Sequence, residues 1–76
     1  MNNSRRKELN TINDRLFECV YAVEGIRDEE QEAYNNLPEG LQVSETGERI
    51  GNALAELESA INSIEDAMDA LKNAAE

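Results

Sequence analysis

The stretch IGNALAELESAINSIEDAMDALKNAA, residues 50–75, decides the fold of this chain. Its main apolar positions recur in alternating steps of four and three residues: Ile50, Leu54, Leu57, Ile61, Ile64, Met68, Leu71 and Ala75. A hydrophobic step of about 3.5 residues is typical of an α-helix that winds left-handedly against a partner helix. Beside it, a second column repeats every seven residues: Ala53, Ala60, Ala67 and Ala74. Because alanine is thin, this column would let a partner backbone approach closely.

The N-terminal half of the chain carries a similar pattern. Its positions step by three and four residues: Leu9, Ile12, Leu16, Cys19, Val23, Ile26, Glu30, Ala33 and Leu37. Glu30 is the acidic exception, and single polar residues at such positions often fix the register or partner of a helix. Cys19 is expected to be a small buried hydrophobic residue rather than a reactive thiol. The pattern predicts a first helix that packs against the second.

The pattern divides the chain into two helices within a single domain, residues 1–76. The first helix is predicted at about 4–36, the linker at about 37–45 and the second helix at about 46–74. Pro38 ends the first helix because it disfavours helical geometry at the preceding residue and lacks an N–H donor. Helices of matched length joined by a short polar linker predict an all-α, coiled-coil-like antiparallel hairpin.

Short polar residues mark both predicted helix starts. Asn3 or Ser4 can cap the first helix, and Ser44 or Thr46 can cap the second, since their side-chain oxygens accept from free first-turn N–H groups. Gly51 is unusual near the start of the second helix, where glycine costs up to about 1 kcal/mol relative to alanine. This position predicts close contact with the linker.

The first helix has more apolar residues than one stripe needs. Phe17, Val20 and Tyr21 widen the apolar surface, and a helix that is apolar on more than one face is buried on more than one face. The sequence therefore predicts that two hairpins form a four-helix bundle. Higher oligomers, or docking on a different protein, remain alternatives. The candidate oligomer interface comprises Phe17, Val20, Tyr21, Ala53, Ala60 and Ala67.

Composition narrows the possible functions. The chain has 17 acidic and 7 basic residues, a net charge of −10, no His and one Cys. These counts exclude a disulfide within the chain and any zinc site that needs several Cys or His ligands. The N-terminus lacks an apolar stretch of signal-peptide quality, and no run approaches the ~18 apolar residues of a membrane span. With a lone Cys, this predicts a cytoplasmic protein.

The charge predicts which partners the chain can bind. A strongly acidic chain is repelled by nucleic acid backbones and anionic membranes, so its expected partner is another protein with a basic surface. The basic cluster Arg5, Arg6 and Lys7 opens the first helix, while acidic residues crowd its other end. In a hairpin the basic cluster should lie beside the C-terminus of the second helix. In an antiparallel dimer it would also approach the acidic linker end of the other subunit.

No catalytic or metal-binding motif is recognisable in the sequence. Diiron bundles pair inward-facing Glu with Glu-x-x-His, but this chain has no His and most of its carboxylates fall outside the apolar series. The acidic segment 28–32 lacks the alternating oxygen ligands and the glycine of a calcium loop. We therefore expect no enzymatic activity, no cofactor and no metal.

The region around the linker resembles a small family of helical hairpins found in phages, prophages and their bacterial hosts. The resemblance rests on DEEQEAYNNLPEGLQ (residues 28–42), followed by Ser44-Glu45 and Gly47-Glu48. The basic opening at residues 5–7 and AINSIEDA (residues 60–67) also fit it. Its distinctive pieces are Glu-Gln-Glu-Ala-Tyr and Asn-Leu-Pro-Glu. The resemblance implies a phage-related setting and supplies neither an activity nor site residues.

Three functions from different classes are consistent with the sequence. The first is a non-catalytic, homo-oligomeric scaffold that binds another protein. The second is an acidic nucleic-acid mimic that inhibits a DNA-binding or defence protein of the host. The third is an oligomeric sponge for a signalling nucleotide, whose phosphates Arg5, Arg6 and Lys7 would bind. The candidate partner surface comprises Gln31, Tyr34, Asn35, Glu39, Gln42, Glu58, Glu65 and Asp69.

Overall fold

The fold is a helical hairpin in the form of a rod. A computed structural model describes all residues, 1–76, and contains no strand. Helix α1 spans Asn3–Asn35, α2 spans Glu39–Gln42 and α3 spans Glu45–Ala74. The two long helices pack together in a molecule of 58 × 15 × 12 Å. The prediction that the chain is all-helical, with two long packed helices, is confirmed.

Hydrogen bonds between α1 and α3 establish that the helices are antiparallel. Arg6 Nε donates to the Ala75 carbonyl (3.0 Å), and Asn13 Nδ2 donates to the Met68 carbonyl (3.1 Å). Residue numbers thus rise along α1 as they fall along α3. The linker at one end therefore lies opposite an open end, where the two chain termini meet.

Both long helices begin with a side-chain cap. Ser44 Oγ accepts from the Gly47 N–H (3.5 Å), as one of the two predicted caps of the second helix. At the start of α1, Asn2 Oδ1 accepts from the Arg5 N–H (2.8 Å). The expectation of a cap at Asn3 or Ser4 was therefore wrong by one or two residues. Both positions already lie within the helix, so their N–H groups are among those to be satisfied.

The linker, predicted at 37–45, contains one helical turn, α2. Gln42 Nε2 crosses the turn and donates to the carbonyls of Tyr34 (3.4 Å) and Leu37 (3.2 Å). The Tyr34 carbonyl lies in the last turn of α1, and the Leu37 carbonyl lies just after the helix. Both are beyond the regular hydrogen bonds that each helical carbonyl accepts from the N–H four residues later. Gln42 therefore caps the end of α1 and closes the linker onto it.

Close packing between the linker and α3 occurs at Gly47 instead of Gly51. A Cβ atom at Gly47 would overlap the carbonyls of Gln42 and Leu41, whereas one at Gly51 would meet nothing within 4 Å. The expectation for Gly51 was therefore wrong. Gly47 lies in the first turn of α3, where the chain has just left α2, and it is buried.

The hairpin core is thin. Val20 and Ile61 are its only buried hydrophobic residues, at 6% and 3% exposure. The predicted apolar series of α3 lies on the inner surface, with every member half-buried or buried. Two helices alone enclose only a narrow strip between them, so most of the apolar residues keep part of their surface open.

Helix α1 is turned relative to the prediction. Four members of its expected apolar series are exposed: Ile12, Cys19, Ile26 and Ala33. Asn13, Val20 and Arg27 take the corresponding inner positions. The expectation of a buried Cys19 was therefore wrong. The physical reason is that Asn13 and Arg27 bond to α3, which the apolar periodicity alone could not predict.

Candidate interaction surfaces

The hairpin has two sides of different chemistry. In an antiparallel pair, residues displaced in the same rotational sense from the contact line lie on the same side of the pair. The Arg27–Glu58 contact joins α1 to α3 on one side, which we call the clamp side. Residues displaced in the opposite sense form the other, which we call the alanine side: Ile12, Cys19 and Ile26 of α1, with Ala60, Ala67 and Ala74 of α3.

The alanine side is apolar and open. Ile12 is 42% exposed and Ile26 is 55% exposed. Cys19 and the three alanines of this side are also exposed. Between the two columns lies a floor of half-buried side chains from both helices: Leu9, Leu16, Val23, Leu57, Ile64 and Leu71. The result is a continuous apolar surface along the rod.

The apolar stripe of α1 is centred toward this side. Its contact positions with α3 include Val20 and Arg27, whereas the apolar series runs through Ile12 and Ile26. The offset is about 50°, half of the ~100° turn between successive helical residues. The stripe of α1 therefore faces a direction between α3 and open solvent, as expected for a helix with neighbours in both directions.

The clamp side is closed by Arg27. Its Nη1 lies 3.0 and 3.2 Å from the two carboxylate oxygens of Glu58, and its Nη2 lies 3.1 Å from Asp28 Oδ1. Glu24 is 3.9 Å away in the same cluster. The hydrogen bond to Asp28, followed by the charge of Glu58, raises the pKa of Arg27 above its usual value. Arg27 therefore stays positively charged and contacts the Glu58 carboxylate across the helix interface.

Asn13 adds a second polar contact to the helix interface. Its Nδ2 donates to the Met68 carbonyl, while its Oδ1 is buried with no hydrogen-bond partner. An unsatisfied buried acceptor costs free energy, so this residue reduces stability while its amide favours one alignment of the helices.

The predicted oligomer-interface residues separate in the structure. Val20 lies in the hairpin core instead of on an outer surface. Phe17 and Tyr21 are 62% and 74% exposed, but they lie on the clamp side of α1. Of the predicted alanines, Ala60 and Ala67 are exposed on the alanine side, and the half-buried Ala53 continues their column toward the linker. The set does not form one continuous surface on the hairpin.

Part of the predicted partner surface at the linker is used within the chain. Gln31 Nε2 donates to Asn35 Oδ1 (3.0 Å), and Gln42 caps the end of α1. Tyr34 is half-buried against the hairpin. Glu39, in the first turn of α2, is exposed and forms no ion pair.

The charged residues among the predicted site residues differ in whether they already have a partner within the chain. On α3, Glu58 is paired with Arg27, whereas Glu65 and Asp69 are exposed without an ion pair. At the open end, Arg6 is held by the Ala75 carbonyl and by Asn3 Oδ1 (3.0 Å). The expected position of the basic start beside the C-terminus of the second helix is thus confirmed.

Arg5 and Lys7 are exposed at that same end, free of ion pairs. The basic cluster proposed for phosphate binding therefore offers two uncommitted cations per chain and one that already has protein partners. No cluster of three or more His, Cys, Asp or Glu side chains has a geometry that could hold a metal ion. None of the helices combines the length and apolar character needed to cross a membrane.

Sequence reasoning missed the two polar residues that orient α1. Asn13 and Arg27 stand two heptads apart, in one column with Val20 between them. A column that places a buried Val between an Asn and an Arg is a weak signal, because polar residues are usually assigned to solvent. The column of alanines that repeats every seven residues on α3 was the stronger signal for the open side.

Comparisons with protein-family models, with curated proteins and with solved structures found no match to this chain. Its surfaces are therefore the basis on which a function can be proposed.

Proposed function

We propose that this protein is a non-catalytic helical scaffold that self-associates and binds another protein. The observation that carries this proposal is the alanine side, a continuous apolar surface that the hairpin leaves open. A contiguous exposed apolar surface bordered by polar residues is typical of a protein interaction site. The phage-type resemblance extends the proposal to a phage-related setting.

The thin core supports self-association. A chain with two buried hydrophobic side chains has little to stabilise a 58 Å rod. Domains of this size usually need additional support, and oligomerisation is one of the common forms. Covering the alanine side with a second hairpin would bury the floor residues, such as Leu16 and Ile64, and complete a four-helix bundle.

The clamp side and the linker end are the surfaces proposed for a different protein. Phe17 and Tyr21 form an exposed aromatic pair, and aromatic residues are enriched where partners bind. Exposed carboxylates on α3, including Glu65 and Asp69, lie on the same side. This combination favours a partner with a basic surface.

Self-association is tested by light scattering behind gel filtration, at several concentrations and at low and high salt. We expect a mass near twice the 8.5 kDa of the chain. Ile26→Glu should convert the dimer to a monomer, because it places a carboxylate within the proposed apolar interface. Phe17→Glu is the matched control, since Phe17 is at least as exposed but lies on the clamp side.

The result for the two variants decides the proposal. Dissociation by Ile26→Glu with retention by Phe17→Glu supports self-association through the alanine side. A folded monomer of the unsubstituted chain at all concentrations would refute it. Circular dichroism of both variants must accompany the mass measurement, so that loss of the dimer is not confused with loss of helix.

The second candidate is a nucleic-acid mimic. Exposed carboxylates without ion pairs, of which Glu65 and Asp69 are two, favour it because a rigid row of acids can stand in for phosphates. The chain should then displace fluorescent duplex DNA from a DNA-binding target protein, with a steep loss of competition as salt rises. Glu65→Gln with Asp69→Asn should weaken this competition, and an unchanged inhibition constant would count against mimicry.

A further inference from the structure

We infer that the alanine side binds a second copy of this chain in an antiparallel arrangement, with α1 of one subunit facing α1 of the other. The inference rests on the self-association proposed above and deepens it by specifying the orientation. It requires a surface that is complementary to itself, because a twofold dimer uses the same patch on both subunits.

The edge of the alanine side supplies the first argument. Arg15 and Glu29 follow Ile12 and Ile26 by three residues and lie along the same outer edge of α1. Both are exposed, and neither forms an ion pair within the chain. These two opposite charges border the apolar surface without an ion pair in the hairpin, so a second subunit can supply a partner for each.

An antiparallel twofold centred near Ala22 pairs these charges. Residues 15 and 29 are equally distant from residue 22, so reversal of the helix direction places Arg15 opposite Glu29 of the partner subunit. The symmetry generates this ion pair twice. Ala22 would lie at the centre of the contact, with Cys19 and Ile26 next to it, and its small size permits a close approach of the two helices.

The ends of the rod supply a second argument for the same orientation. Arg5 and Lys7 lie at the open end, whereas Glu32 and Glu39 lie at the linker end. Antiparallel packing places the basic end of each subunit beside the acidic linker end of the other. Parallel packing would instead place the acidic ends of both subunits together, a juxtaposition that costs free energy.

The small residues of α3 accommodate this arrangement. Reversal about the same centre sets Ala60 near the twofold axis and brings the levels of Ala67 and Ala53 together. The helices of the two hairpins can therefore approach along both pairs of faces at once, as bundle packing requires.

The orientation can be measured with two spin-labelled proteins. Both carry Cys19→Ser, which removes the only native thiol, and each then carries one new cysteine at an exposed position of α1, Ser4→Cys or Glu18→Cys. Light scattering first establishes that each labelled protein has the mass of the unlabelled dimer. Pulsed electron paramagnetic resonance then gives the distance between the two labels of a dimer.

The antiparallel arrangement predicts a long distance between labels at position 4 and a short distance between labels at position 18. Labels at position 4 should lie roughly 55 Å apart, because each is 18 residues from the centre at 1.5 Å per residue. Labels at position 18 should lie within about 20 Å, since they are near the axis. A dimer in which the two distances are similar would be parallel, because positions 4 and 18 lie two heptads apart on one face of α1. That result would overturn the inference while leaving self-association intact.

Charge exchange provides an independent measurement. At low salt, Arg15→Glu should weaken dimerisation by about tenfold or more, because it creates two carboxylate pairs in place of two ion pairs. Adding Glu29→Arg should restore affinity in the double variant, and high salt should reduce the difference. Failure of the double variant to recover, in a protein that still dimerises, would overturn the pairing. A monomeric unsubstituted protein would instead refute the proposed function itself.

Discussion

The two sides of the hairpin differ in how the space between α1 and α3 is closed. On the clamp side, Arg27 bridges the helices through Glu58, and Asn13 reaches the backbone of α3. On the alanine side no ion pair or hydrogen bond crosses between the helices, and the apolar surface between the two columns of residues stays open. A side that makes its own polar contacts can face water, whereas the open apolar side is where we propose that a partner binds. The comparison separates what holds the hairpin together from what the hairpin can bind.

The largest effect on stability is expected at Ile61, which lies in the core between the two sides. Ile61→Ala removes the most buried apolar side chain and should lower the free energy of unfolding by about 2–4 kcal/mol. Chemical denaturation at fixed protein concentration measures the change. Ala55→Gly in the same helix provides a control that affects helix propensity alone, at about 1 kcal/mol. A cost for Ile61→Ala no greater than this control would contradict the assignment of the core.

The next prediction breaks the alanine side alone. Ala60→Glu should weaken self-association at least tenfold, because a carboxylate would enter an apolar contact near the centre of the rod. Ala55→Glu is the matched control, since Ala55 is exposed on the same helix but lies on the clamp side. Sedimentation equilibrium gives both dissociation constants. Equal weakening by the two substitutions would show that the difference between the sides has no consequence for assembly.

A third substitution makes the clamp side more like the alanine side. Asn13→Leu removes the buried oxygen that lacks a partner and should raise the free energy of unfolding by about 1 kcal/mol. Asn10→Leu, at an exposed position one turn earlier, should change it little. Thermal denaturation distinguishes the two. A large loss of stability for Asn13→Leu would mean that the amide contact to Met68 outweighs the unsatisfied oxygen.

The smallest effect is expected at the ion pair. Glu58→Gln should lower stability only slightly at low salt and even less at high salt, because both partners are partly exposed. A double-mutant cycle with Arg27→Gln isolates the pair from the other contacts of Arg27. A large coupling energy that salt does not reduce would contradict this expectation, because it would mean that Arg27 and Glu58 form a pair shielded from water.

Much of the fold follows from the sequence, and the reason lies in α3. Its apolar series from Ile50 to Ala75 has no polar interruption, so the periodicity identified the inner surface directly. Ser44 was one of two expected caps because a short side-chain oxygen at a helix start can accept from a free first-turn N–H group. In these places local chemistry and tertiary packing favour the same structure.

The orientation of α1 could not be predicted in the same way. Its apolar residues cover about half of the helix circumference, so periodicity alone allows several rotations. Which rotation occurs depends on the reach of Arg27 to Glu58 and of Asn13 to α3, contacts between residues far apart in sequence. The predicted surfaces depended on this rotation. Val20 was therefore assigned to the oligomer interface, whereas it lies in the core of the hairpin.

The contact between Gly47 and the linker also bears on the order in which the hairpin forms. Contacts at the linker join residues close in sequence, such as Tyr34 and Gln42, which are eight positions apart, whereas the Arg6–Ala75 bond at the open end joins residues 69 positions apart. Because closing a loop costs entropy that grows with its length, pairing should start at the linker and proceed residue by residue toward the termini. Gly47→Ala should accordingly slow folding, whereas Arg6→Gln should mainly accelerate unfolding.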